Sequence, residues 1–504
     1  MLSNLVCCWL WCPICLFIFV WVLWKGNACG TREPVNHRNG EQLTMAKTSD
    51  WIITDTSVIS LEDSDVVLED AAIAVEQGII SEIGPSDQVE ARFPNLEKID
   101  GRGKAVLPGF INSHTHTVLL VLRGTVEDMS GDAIFGYMTP ISFAMTDNER
   151  RALARLGCLE AIRSGSTTLV EPFRFIPGYA DGMIDSGLRL YFGENAADAL
   201  TLKIRDGIYE FDKGFGQEFL DRTVEMINRF HDTNDGRVQC QISAHAPDVC
   251  SPWMLAELND LAKKHGLTRT VHLSQSPKEL EQVKEAHGMT SAEYLDANGW
   301  LGDDVVAAHW TFCTPNDVQL LASRGVHMAH CPANSSRRGP HKALARDIID
   351  AGVNIALGTD NMTEDMFEAM RIGSIVHRGA GGGGVDPAPL HALHAATING
   401  AKALKRSHHL GTLAPGKLAD ITVLDMTSPS LTPVINPIAN IVHYGHPGIV
   451  SAVAVEGRFL MKDGKVLCMN EADVIGEAQE ATHAAWRRLG EISPDIKLPA
   501  SMQI

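Results

Sequence analysis

Across residues 107–404 the chain repeats one pattern: a strand-sized apolar run, a polar cluster directly after it, then a stretch with helical periodicity. Thr168-Leu169-Val170, Val238-Gln239-Cys240-Gln241-Ile242, Val305-Val306-Ala307-Ala308 and Val353-Asn354-Ile355-Ala356-Leu357 are such runs. A helix between two strands returns the chain to the edge where the first strand began, so consecutive strands lie parallel. Roughly 300 residues of these units suit an eight-stranded β/α barrel of the TIM type, in which chemistry sits just beyond the strand C-termini.

The flanks read differently. Trp51-Ile52-Ile53, Ala72-Ile73-Ala74-Val75 and Gly78-Ile79-Ile80-Ser81-Glu82-Ile83-Gly84 are short strand signals set between turn residues. The same style returns at Ala419-Asp420-Ile421-Thr422-Val423-Leu424, at Ala452-Val453-Ala454-Val455-Glu456-Gly457-Arg458-Phe459 and at Asp463-Gly464-Lys465-Val466. The α/β fold class is therefore a barrel with a small β-sandwich domain built from both flanks. The predicted organisation is 1–44 as a hydrophobic leader or mis-assigned start, 45–106 and 409–470 as the two parts of the β domain, 107–408 as the barrel, and 471–504 as a C-terminal helix and tail.

Composition narrows the partners. The 504 residues are 45% hydrophobic and 21% charged, which excludes disordered, collagen-like and small disulfide-stapled classes. A formal charge of -19 repels phosphate backbones, so no nucleic-acid partner is expected. Of the 11 cysteines, Cys7, Cys8, Cys12, Cys15 and Cys29 crowd the start. The remainder, from Cys158 onward, include no C-x-x-C pair, which argues for reduced structural thiols in a cytoplasmic setting. Residues 5–24 form an uncharged apolar run broken by Pro13 and followed by Lys25. Translation from Met45, which opens directly onto a strand-like stretch, would make this leader dispensable; a membrane anchor through 5–24 is the alternative.

The chemistry concentrates after the apolar runs. Gly109-Phe110-Ile111-Asn112-Ser113-His114-Thr115-His116 ends a strand in two histidines one residue apart, and residues i and i+2 of an extended chain face the same way. Two converging imidazoles are what a divalent transition metal requires, although an isolated H-x-H reads first as solvated or hydrogen-bonded histidines. His272 closes another run, His309 a third, and Asp360 follows a fourth in Leu357-Gly358-Thr359-Asp360. Singly, each histidine reads as a satisfied core residue; the ordered set on successive strands reads as a site.

On these residues the chain resembles the amidohydrolase superfamily, within it the cytosine-deaminase-like and triazine-hydrolase (TRZ/ATZ) branch. The resemblance spans about residues 51–467 and adds Ser243-Ala244-His245-Ala246-Pro247, His330-Cys331-Pro332 and Gly411-Thr412-Leu413-Ala414-Pro415-Gly416-Lys417-Leu418-Ala419-Asp420 to the motifs above. It implies one divalent metal, Zn²⁺ in first place with Fe²⁺ as the alternative, held by His114, His116, His272 and Asp360 with one water. His309 and Asp360 would be the catalytic groups that orient the water and carry its proton, and His245 would touch substrate. No lysine ends a strand where binuclear branches place a carboxylated bridge, which fits a single metal. A small-molecule substrate and a homo-oligomer are further implications.

The chain departs from the branch at one point. Deaminases of the branch carry H-x-x-E at the third metal histidine, with the glutamate protonating a ring nitrogen. Here the motif is His272-Leu273-Ser274-Gln275, and a glutamine can hold a carbonyl or ring nitrogen but cannot deliver a proton. The expected function is hydrolysis of a non-peptide C–N bond of amide, urea or carbamate type by a metal-activated water, with Gln275 binding substrate. The alternative is an aminohydrolase of an aminated purine, pyrimidine or triazine ring, and a minor alternative is a non-catalytic scaffold. Glu171 reads first as a barrel-mouth salt-bridge residue, with reach into the site as the alternative, residues 378–384 as a glycine-rich mobile loop without the phosphate-binding layout, and Met362, Met366 and Met370 as one helix face packed on the barrel.

Overall fold

The computed structural model of the chain describes residues 50–62, 67–127, 133–337, 343, 345–380 and 387–496. The leader, its cysteines and the start at Met45 lie outside these residues, as do residues 381–384 of the glycine-rich run. Arg378 belongs to the helix Met366–Ala380 rather than to a loop. Among the described residues, no helix is long and apolar enough to cross a membrane.

Eight parallel strands form the barrel: β1 (Phe110–Asn112), β2 (Ser166–Phe173), β3 (Arg189–Ala196), β4 (Ile242–Ala244), β5 (Arg269–Leu273), β6 (Val305–His309), β7 (His327–His330) and β8 (Ile355–Leu357). The run expected as one strand at residues 238–242 divides in two. Val238–Cys240 pairs along β3, and β4 resumes after Gln241. Alternate side chains serve two layers, as a period of two demands. Val271, Leu273, Val305, Ala307, Met328 and Leu357 join the large core shared with the helices, whereas Val306, Ala308, Ala329 and Ala356 cluster separately with Ala403.

Helix boundaries follow local chemistry. Capping boxes at Thr146/Glu149, Thr290/Glu293 and Thr314/Asp317 satisfy first-turn N–H groups of the helices that begin at Asp147, Ser291 and Pro315. Met362 is not on the expected methionine face: it lies ahead of the helix with φ 65, and its carbonyl accepts from Arg123 Nε at 2.9 Å. Met366 and Met370 do pack inward.

Backbone contacts close the barrel between β8 and β1. Ser113 N–H donates to Leu357 O at 2.9 Å, Asp360 N–H to His114 O at 3.0 Å and His116 N–H to Asp360 O at 2.7 Å. The approach is so close that a Cβ on Gly358 would stand 2.7 Å from His114 O.

Both flanks enter one nine-stranded sheet in which Lys104–Pro108 runs antiparallel to Ile421–Asp425. Trp51, Ile53, Ile73 and Val75 from the first flank meet Ile421, Val423, Ala452 and Ala454 from the second in a common core. The sheet is tied to the barrel by Arg189, the first residue of β3, whose guanidinium is buried against Asp420 at 2.9 Å and Glu456 at 2.8 Å. The helix Glu471–Ile492 lies on Asp147–Arg163, with Arg488 paired to Glu149 at 2.6 Å and Trp486 Nε1 donating to Val121 O at 2.8 Å.

Candidate active site

The polar clusters read from the sequence converge at one mouth of the barrel. His114 and His116 follow β1, His245 follows β4, His272 lies within β5, His309 ends β6 and Asp360 follows β8. Every one of these side chains is buried, none more than 6% exposed. His116 Nε2 and His272 Nε2 are 3.2 Å apart. Asp360 Oδ1 stands 3.5 Å from His116 Nε2 and 4.0 Å from His114 Nε2, and Oδ2 stands 3.9 Å from His309 Nε2. Ligand atoms of His114, His272 and His309, and likewise of His114, His116 and Asp360, lie within 4.8 Å of one another.

This convergence uses strained backbone. Ser274, His309, Trp310 and Asp360 have φ of 49, 82, 56 and 67, a left-handed region that side chains with a Cβ seldom occupy. Such conformations persist where surrounding structure over-determines them, and here they bend each chain sharply after its strand.

The electrostatics favour a cation. Burial first, then the neighbouring imidazoles, hold His114 and His116 well below the ordinary histidine range, so both are neutral and keep a lone pair. Both ring nitrogens of His114 and Nδ1 of His116 are buried without a hydrogen-bond partner. His272 Nδ1 lies 2.6 Å from His245 O, which can only accept, so the proton sits on Nδ1 and the Nε2 lone pair faces His116. Neutral imidazoles with unpartnered nitrogens beside one carboxylate are a donor set that fits a divalent metal.

Residues 105–460 match the amidohydrolase family. The chain belongs to that family. Its sequence is 31% identical over 438 residues to a 5-methylthioadenosine/S-adenosylhomocysteine deaminase of Syntrophobacter fumaroxidans, covering 85% of this chain and 96% of that one. It is 29% identical over 450 residues to a 5'-deoxyadenosine deaminase of Methanosarcina mazei, covering 88% and 99%. An adenosine deaminase from Xanthomonas campestris with bound zinc superposes with a TM-score of 0.79 at 24% identity, covering 87% and 98%. The atrazine chlorohydrolase of Arthrobacter aurescens complexed with zinc gives 0.74 at 23%, covering 86% and 99%. These two structural likenesses speak for the fold. As a member of the amidohydrolase family, the protein is a metal-dependent hydrolase acting on carbon–nitrogen bonds.

In this amidohydrolase a layer behind the histidines was not legible in the sequence. Asn334 Nδ2 donates to Asp360 Oδ2, and Asn361 Nδ2 donates to Oδ1 at 3.1 Å. Glu364 accepts from Thr115 Oγ1 at 2.6 Å and Asn112 Nδ2 at 2.9 Å, and burial drives its carboxyl well above the carboxylate range. Glu171 differs from its expected salt bridge. Its partners are Thr117 N–H at 2.9 Å and the Tyr179 hydroxyl at 3.0 Å, and burial pushes its carboxyl up to about 8. The one available signal was the position of Glu364 four residues after Asp360.

A cavity of about 40 Å³, open to solvent, lies over the cluster. His116, Arg174, His245, His272, Gln275 and Asp360 are among the residues lining it. The loop holding Gln275 is pinned from below, with Ser274 and Gln275 N–H groups donating to Glu279 at 2.7 and 2.8 Å. Glu279 itself is not among the lining residues.

Proposed function

We propose that this hydrolase cleaves the C–N bond of a small amide, urea or carbamate, with a single divalent cation, Zn²⁺, held by His114, His116, His272 and Asp360. One observation carries the choice of substrate. Among the described residues lining the cavity, Asp360 is the only carboxylate, and the position where a ring-protonating acid would be expected holds Gln275. An aminated ring requires that proton during attack, whereas a carbonyl needs only its oxygen polarised. The zinc of the similar adenosine deaminase supports the metal.

When bound, the cation supplies a Lewis acid that makes a water nucleophilic near neutral pH. The chain does the rest. His309 Nε2 and Asp360 Oδ2, 3.9 Å apart, orient the attacking water between them. Asp360 Oδ2 accepts its proton and delivers it to the departing nitrogen, and Asn334 holds that carboxylate in place. Gln275 and His245 line the cavity as hydrogen-bonding partners of the substrate.

A second reading, deamination of an aminated purine, is favoured by the deaminases that match this chain over most of their length. A product assay separates the two. Zinc-loaded protein would be given 5'-deoxyadenosine, 5'-methylthioadenosine, S-adenosylhomocysteine and aminated triazines beside aryl amides, ureas and carbamates. Turnover confined to the carbonyl substrates, with release of the organic amine, is the expected outcome. Ammonia from an aminated ring would overturn the proposed substrate class.

A further inference from the structure

Arg174 follows β2 directly and lines the same cavity as His245, His272, Gln275 and Asp360. It is 3% exposed. Its Cζ lies 5.1 Å from the ring centroid of Phe143 and 5.9 Å from that of Phe173. Contact with aromatic rings engages the faces of a guanidinium and leaves its N–H groups, which lie in the plane, to find acceptors. Two of those nitrogens, Nε and Nη1, are buried without a hydrogen-bond partner.

The surrounding charges do not supply one. Glu194, the carboxylate that acts on Arg174, is already engaged. Its Oε1 accepts from Arg222 Nε at 2.7 Å and Phe175 N–H at 3.0 Å, and Oε2 from Ile176 N–H at 2.9 Å. Arg150 pairs with Asp147 at 2.7 Å and donates to Ser142 O at 2.8 Å. Three arginines thus stand against two carboxylates, and the unmatched cation is the one on the cavity wall. A buried guanidinium with open donors needs an anion, and the ligand whose two oxygens match its fork is a carboxylate.

We propose that Arg174 anchors a carboxylate carried by the substrate, so that the enzyme acts on carboxylated amides, ureas or carbamates rather than neutral ones. The proposal rests on the cavity being the substrate site, as argued above. Its test separates the two claims. Zinc-loaded wild type, Arg174→Met and Arg174→Lys would be titrated by calorimetry with benzoate and with benzyl alcohol, a neutral counterpart without a C–N bond, and zinc content would be measured on each. Benzoate is expected to bind the wild type and to weaken about 30-fold or more in Arg174→Met, with partial recovery in Arg174→Lys and a change of less than about threefold for benzyl alcohol. The C–N panel would also be run as carboxylate and methyl-ester pairs, where the wild type should favour the carboxylate by at least about tenfold in kcat/KM and Arg174→Met should lose that preference. Failure of benzoate to bind the wild type, equal benzoate affinity in wild type and Arg174→Met, or parallel loss of benzoate and benzyl alcohol in both variants would overturn the anchor. No turnover of any pair would sink the amide, urea or carbamate reading, while the benzoate titration still decides Arg174.

Discussion

Burial settles the protonation of His114 and His116 before any ligand arrives, because loss of water around the ring and the neighbouring imidazoles both disfavour the charged form. The single carboxylate among them then has to be held in one orientation, and Asn334 and Asn361 do this from either oxygen. Asn334→Ala is predicted to weaken zinc affinity by about 10–100-fold, the usual cost of removing a group that orients a ligand. Competition with a chelator measures it, and unchanged affinity would show that Asp360 needs no such support. Glu171 gives a prediction in pH. Its carboxyl titrates at about 8 when folded against an ordinary value of 4.5. Between those values the folded chain retains a proton that the unfolded chain has released, so stability falls as pH rises, by up to about 1.4 kcal/mol per unit. Glu171→Gln, which keeps a hydrogen-bonding side chain without the titration, should flatten the decline of the thermal midpoint from pH 5 to pH 8. Parallel declines in both proteins would remove Glu171 as the cause.

The strand ends, rather than the strands, are the unit that builds the site. Several barrel strands are only three residues long, as in β1, β4 and β8, and each gives way to an irregular turn that carries a ligand-type side chain inward. The alternation of apolar runs and helical stretches predicts these elements because periodicity is local. It does not predict their breaks: the run over 238–242 divides at Gln241, and the methionine spacing fails at Met362 because the backbone turns left-handed there. Gly358 marks the tightest of these junctions. Gly358→Ala would drive a Cβ into the His114 carbonyl and is predicted to cost about 1–3 kcal/mol while pushing β1 away from β8. A lowered thermal midpoint together with weaker zinc retention is the expected pair of results. A variant matching wild type in both would mean that the closure yields without strain.

At the scale of the molecule, the site sits at one end of the barrel and the flank sheet is bound through the N-terminal end of β3. Arg189 and Asp420 are buried there with Glu456 half-buried beside them, and removing Asp420 leaves the guanidinium without its buried partner. Asp420→Ala is predicted to destabilise the protein by roughly 3–5 kcal/mol. Urea unfolding measures the loss, and zinc content should stay at the wild-type value because no site residue touches the cluster. The sequence by itself marked the barrel, a β domain shared by both flanks and the candidate positions His114, His116, His272, His309 and Asp360, since each lies at or just after the end of an apolar run and side-chain direction along a strand has a fixed period. Only the tertiary structure decided the support given by Asn334 and Glu364, the neutral partners of Glu171 and the open donors of Arg174. Those relations join groups on different strands, and whether a buried polar atom finds a partner depends on how the barrel closes around it rather than on its neighbours in the chain.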